Sequence, residues 1–214
     1  ESSAATPPAA REPAGRRDPA ALARAVWNSP RFDHALGALI ALVYVLILVR
    51  SAHTLGYARD EGFYFDAGRA YAGWFRQLFE NPRAALARPA IDAAWTVNHE
   101  HPSLMKSLFG LSWMYLHEKR RIFVEAGTAF RFPGMVFGGL SLWLVHVWGA
   151  RVVSRRAGLV AAAALAFMPR FFYHSHLDCF DVPVTFFWAL TAYCYWRSLG
   201  DEGGLRWSVA TGVV

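Results

Sequence analysis

The sequence predicts an all-α protein: a polytopic transmembrane helical bundle with amphipathic juxtamembrane helices in its first outer loop. Three observations carry that expectation. Of 214 residues, 55% are hydrophobic and 15% aromatic, too apolar for an ordinary soluble domain. The apolar residues fall in long uncharged blocks, and a backbone inside a bilayer must satisfy its own hydrogen bonds, which helices do. The basic residues flank those blocks, as topology signals do. The net charge of +6 and pI near 9.7 therefore need no nucleic acid to explain them, because no dense basic patch exists.

Residues 1–33 are rich in Ala, Pro, Arg and Ser and cannot build a core, so they are expected to form a disordered cytoplasmic tail. The membrane domain is expected over 34–214. Its first uncharged run, His34 to Val49, gives about 24 Å of helix, which snorkelling flanks can extend across a hydrocarbon core. Five arginines precede it, which sets the N-terminus in the cytoplasm and the following loop outside. In that loop Ala67, Ala70, Tyr71, Trp74, Phe75, Leu78 and Phe79 recur at helical spacing. They make an amphipathic helix, lying in the interface or packed on protein, and Asn81-Pro82 ends it.

Further blocks run from Pro102 to His117, Phe132 to Ala150, Ala157 to Tyr173, Val182 to Trp196 and onward from Trp207, giving five or six embedded segments. The chain begins at Glu1 and stops inside an apolar stretch, so it is expected to be part of a longer protein, from a bacterial inner membrane by its Ala/Arg-rich composition. Charge leaves one ambiguity. "HEKRR" (117–121) and "RVVSRR" (151–156) are both basic with one span between them. If 102–117 only dips into the outer leaflet, "HSHLDCFD" (174–181) faces outside; if it crosses, that segment faces inside.

Three constellations can carry chemistry. Arg59-Asp60-Glu61 puts two carboxylates at the outer surface, where Asp60 can act as a general base or as a helix cap. "NHEHPSLMK" (98–106) gathers His99, Glu100, His101 and Lys106. There Lys106 suits a lipid phosphate, and His-x-His leaves a divalent metal open. "PRFFYHSHLDCFDVP" (169–183) packs Arg170, His174, His176, Asp178 and Asp181 between two apolar runs. Arg131 in "FRFP" is either an anchor or a phosphate contact. Cys179 and Cys194 both lie in an apolar region; neither has a metal-ligand spacing, and no disulfide between them can be argued.

The order of these motifs resembles the GT-C class of membrane glycosyltransferases, closest to the protein O-mannosyltransferase and aminoarabinose lipid A transferase group. Those mannosyltransferases carry an Asp-Glu pair and a His-Pro-Pro-Leu-x-Lys stretch in the first outer loop. Here these are Asp60-Glu61 and His101-Pro102-Ser103-Leu104-Met105-Lys106, with Ser103 departing from the second Pro. A later Pro followed by Asp before an apolar helix is matched by Pro169 with Asp178 or Asp181.

The resemblance covers roughly residues 35–200. It implies inverting transfer of a sugar from a polyprenyl-phosphate carrier to an acceptor hydroxyl on the outer side of the membrane. Asp60 matches the catalytic base, with Glu61 beside it. It also implies Lys106, Arg59 and Arg131 as donor-phosphate contacts, and His101, Asp178 and Asp181 as substrate contacts. The partners are the lipid-linked donor, the bilayer, and an acceptor left open among protein, lipid A, glycan and lipid. No nucleotide-sugar fold is needed, and the sequence has no Gly-rich phosphate loop. A transporter or a non-catalytic membrane subunit are the rival readings. A transporter places its charges mid-helix and shows internal repeats, whereas these charges lie at block ends.

Overall fold

The computed structural model describes Trp27, residues 29–200 and residues 204–214. The expected tail lies almost wholly outside the described residues. The chain divides into two compact units, Glu1–Phe32 and Asp33–Val214. In the first, Trp27 and Phe32 have ring centroids 5.0 Å apart.

The described residues are helical, with no strand among them. The helices are α1 (Pro30–Ser51), α2 (Glu61–Glu80), α3 (Pro82–Ala85), α4 (Arg88–Trp95), α5 (Ser103–Ser112), α6 (Ala126–Val152), α7 (Arg155–Ala166), α8 (Pro169–His174), α9 (Asp181–Ser198) and α10 (Gly204–Val213). A 3₁₀ turn at Ala52–Thr54 extends α1, and a π-helical stretch at Trp113–Lys119 extends α5. Two segments are long and apolar enough to cross a bilayer, Pro30–Thr54 and Ala126–Val152. The first outruns the uncharged block His34–Val49 at both ends, taking in Asp33, which pairs with Arg155, in its first turn and Arg50 in its last. The block 157–173 breaks at Phe167-Met168. Pro169 cannot continue a helix and instead starts α8.

Helices α1 and α6 run antiparallel and fix the two ends of the bundle. At one end Asp33 pairs with Arg155, and His34 meets Arg151 at 3.0 Å. Arg151 also donates to the Tyr193 hydroxyl on α9 at 2.6 Å. At the other end Ser51 Oγ lies 2.8 Å from His176 Nε2. Between them Gly139 of α6 lies against Ala41 and Val45 of α1, and the Phe137 ring packs at a tilt against Phe186 and Phe187 of α9. Pro133 sits inside α6 and has no N–H for the Ala129 carbonyl. Ser112 Oγ donates to that carbonyl at 2.6 Å, so the missing backbone bond is replaced from α5.

The amphipathic helix forms as expected and packs on protein. Ala67, Gly68, Tyr71 and Ala72 of α2 are buried. Asn81 ends it, and its side chain accepts from Ala84 N–H to start α3. Gly68 and Gly110 bring α2 and α5 into backbone contact. A Cβ on Gly110 would lie 2.1 Å from the Gly68 carbonyl oxygen. This crossing sets the height of α2, and so of the acidic pair at its start.

One end of the bundle gathers residues from both sides of the ambiguous segment. His101 and Pro102 line a cavity shared with Asp60 and Asp178. By Gly127 the chain is back beside Tyr57, near the same end. The segment 102–119 therefore returns to the end it left. "HSHLDCFD" and the acidic pair share that end of the bundle.

Gly110→Ala is expected to destabilise the protein by about 1–3 kcal/mol, because the new methyl meets backbone. Gly73→Ala on the same α2, where a Cβ meets nothing within 4 Å, should be neutral or mildly stabilising. Thermal unfolding in detergent followed by circular dichroism compares the two.

Candidate functional site

Residues 60 and 61 are consecutive, so on a helix they point about 100° apart. One side chain can turn into the protein while the other faces out. Glu61 turns in and is buried; Asp60 is exposed. Glu61 meets Arg131, also buried, in a two-pronged pair: Nε to Oε1 at 2.7 Å and a terminal nitrogen to Oε2 at 2.7 Å. The remaining lone pairs of Glu61 accept from Ala58 N–H at 2.7 Å and Asp178 N–H at 2.8 Å. The remaining Arg131 donors reach the Gly56 carbonyl at 2.8 Å and the Leu55 carbonyl at 3.4 Å. Tyr57 covers the guanidinium, 4.8 Å from ring centroid to Cζ. Each charge is neutralised and each polar atom has a partner, the condition under which a buried pair is tolerated.

This clamp ties three distant segments: the loop 55–61, the start of α6, and the loop 175–180. The last loop is held a second way. Gly134 of α6 faces the Leu177 carbonyl so closely that a Cβ there would lie 2.9 Å from it. Ser175 Oγ bonds the Tyr44 hydroxyl of α1 at 3.4 Å and the Phe171 carbonyl at 2.7 Å.

Above the clamp is a cavity of about 490 Å³. Asp60, Tyr64, His101, His174, Asp178 and Asp181 line it. Asp60 stands at the N-cap position of α2 but makes no capping bond, so its carboxylate is left to the cavity. Asp178 is fully buried, and both its oxygens lack a hydrogen-bond partner. Burial, and then the Glu61 charge, push its carboxyl well above the usual carboxylate range, while Arg131 pulls the other way. Burial pushes the Cys179 thiol up to about 12. Burial raises the Tyr64 phenol too, with Asp60, Cys179, Asp181 and Asp178 adding to it. His174 Nδ1 lies 2.9 Å from Asp181 Oδ2. Tyr64, His101 and Phe180 form an aromatic wall, with Tyr64 and Phe180 centroids 4.8 Å apart at 84°.

A second, more apolar groove of about 310 Å³ opens beside the first and shares His174 and Asp181 with it. Leu165, Met168, Phe171 and Val182 supply its apolar lining, and Arg170 its cation.

The structure thus brings together Asp60, Glu61, His101, Asp178 and Asp181 around one cavity. It sets the three cations apart. Arg131 is engaged below, with Glu61. Lys106 is buried; its ammonium donates to the Asn98 carbonyl and lies 5.3 Å from the Tyr71 ring centroid. That bond holds a turn in which Asn98 has φ 53°. Arg59 lines a separate recess with Phe65, Arg69 and Gly127. His174, Cys179, Tyr64 and Arg170 also line the cavity or its groove. The dense "PRFFYHSHLDCFD" run signalled Arg170 and His174; Cys179, whose spacing marked it as no ligand, and Tyr64, which nothing in the spacing of α2 singled out, are brought to the cavity by the fold.

Glu61→Gln leaves the Arg131 guanidinium buried without a counter-charge and is expected to cost about 3–5 kcal/mol. Asp178→Asn removes an unpaired buried acid facing Glu61 and should be neutral or stabilising. Unfolding of both variants in one detergent, at matched concentration, checks the opposite signs.

Residues 111–214 match the family model described as dolichyl-phosphate-mannose-protein mannosyltransferase. No curated protein and no solved structure matches the chain. The matched stretch holds Arg131, His174, Asp178 and Asp181; Asp60, Glu61 and Lys106 precede it. The match supports a polyprenyl-phosphate-sugar-dependent glycosyltransferase in general, and with the two apolar helices it points to a membrane protein. Over residues 111–214 the chain is similar to the dolichyl-phosphate-mannose-protein mannosyltransferase family, the GT-C class that its order of motifs resembles.

Proposed function

We propose that the protein transfers a sugar from a polyprenyl-phosphate carrier to an acceptor hydroxyl, with inversion, in the 490 Å³ cavity at the outer face of the membrane. The observation that carries this reading is the pairing of roles at residues 60 and 61. Glu61 is locked into Arg131, while Asp60, one residue away, presents an unengaged carboxylate to the cavity.

Asp60 takes the proton of the acceptor hydroxyl as its oxygen attacks the anomeric carbon. The bond from that carbon to the phosphate oxygen breaks on the opposite face, and the lipid phosphate leaves with both electrons. The apolar groove between α8 and α9 suits the first isoprene units of the carrier, and it opens into the cavity at His174 and Asp181. Arg170 in that groove is the cation best placed for the departing phosphate, and a cation there stabilises charge as it develops. Lys106 and Arg131 then act at a distance, by holding the turn at Asn98 and the clamp under the cavity. Arg59 flanks the base from the neighbouring recess. His101, Asp178 and Asp181 frame the sugar, and the aromatic wall of Tyr64 and Phe180 gives it an apolar face to lie on.

Membranes containing the protein, supplied with radiolabelled polyprenyl-phosphate sugars, test this directly. Asp60→Asn should lower transfer by about 10²- to 10⁴-fold with the protein's abundance and unfolding unchanged. Arg170→Ala should raise the donor KM more than it lowers kcat. Undiminished transfer by Asp60→Asn removes Asp60 as the base.

A further inference from the structure

We propose that His174, Cys179 and Asp181 form a binding site for a zinc-class divalent ion at the mouth of the cavity. Three residues from a span of eight converge there: the last residue of α8, one loop residue, and the first residue of α9. One ligand atom from each, a ring nitrogen, a sulfur and a carboxylate oxygen, lies within 4.8 Å of the other two. Around a tetrahedral zinc the bonds are about 2.0–2.3 Å, which sets ligand atoms about 3–4 Å apart. Side-chain rotation of roughly 1 Å therefore closes the site, and His174 and Asp181 are already in contact at 2.9 Å.

The donor set selects the ion. One nitrogen, one sulfur and one oxygen suit Zn²⁺ and its neighbours, whereas Mg²⁺ and Ca²⁺ take all-oxygen sets. Three protein ligands leave one position open, and all three residues line the cavity, so that position faces the cavity interior. The His174 and Asp181 side chains are 28% and 66% exposed, which gives the ion a route in.

A second observation points the same way. Asp178 lines the same cavity, fully buried, with neither carboxylate oxygen hydrogen-bonded. A buried acid without a partner is costly, and a cation at the mouth of its cavity supplies the missing positive charge.

Ion binding here is separable from sugar transfer, and the test reads the ion alone. Co²⁺ is titrated into the full chain, purified in detergent without a polyhistidine tag. The expected result is a near-ultraviolet thiolate-to-cobalt band that saturates at one ion per chain and is bleached by Zn²⁺. Cys179→Ser should abolish the band and Cys194→Ser, on the buried face of α9, should keep it. His174→Ala and Asp181→Asn should weaken Co²⁺ binding by about tenfold or more. Absence of the band in the wild type overturns the site. So does a band that survives Cys179→Ser, or Co²⁺ held without sulfur by His99 and His101. None of these outcomes bears on whether Asp60 supports transfer, so the two failures are told apart.

Discussion

The ion pair between Glu61 and Arg131 is the constraint on which the cavity end of this protein depends. Two charges, each almost without solvent exposure, lie 70 residues apart in sequence and 2.7 Å apart in space. Taken out of water singly, either would be intolerable. Together they use four further backbone groups, from Leu55, Gly56, Ala58 and Asp178, to satisfy nearly every donor and acceptor they own. The loops that border the cavity have little regular structure to hold them. The pair does that work instead, and a bidentate fork fixes orientation as well as distance.

The clamp explains why the cavity can hold acids at all. Asp60 and Asp181 gather above it beside the buried Asp178, and a loosely tethered loop would let them part. The 175–180 loop stays closed because its backbone is bonded into Glu61 and its carbonyls rest on a glycine face of α6. Rigid positioning of such groups is what a chemical site requires. The neighbouring helices contribute height. The Gly68–Gly110 crossing fixes where α2 begins, and Ser112 repairs the backbone gap under Pro133 just where α6 rises toward Arg131.

Much of this was legible in the sequence. Helical blocks, the amphipathic face of α2 and its end at Asn81-Pro82 follow from periodicity and turn chemistry, which are local. The crowding of ionisable residues at 169–183 marked one wall of the cavity for the same reason. What could not be read was the direction in which each charge points. Lys106 and Arg131 both stand at the edges of apolar blocks, where a residue facing a lipid phosphate and one facing a protein carbonyl look alike. The choice is made by partners at Asn98 and Glu61, and only three-dimensional packing supplies the second of these. Likewise, no spacing rule says that Glu61 rather than Asp60 turns inward. The break at Phe167-Met168 was hidden because the block remains apolar across it, although Pro169 marked the place.

The reach of Glu61 along the chain has a consequence for biosynthesis. Chains emerge from the N-terminus first, and domains assemble in that order. Glu61 is made 70 residues before Arg131 and 117 residues before the Asp178 N–H that completes its coordination. Until α6 is inserted, the first loop carries a carboxylate that cannot yet be buried, so it must remain hydrated and loose. Only when the 175–180 loop arrives does the cavity acquire its floor. The same bonds that hold the mature site therefore act as a checkpoint on its assembly: a chain truncated before residue 131 keeps the acids of its first loop in water.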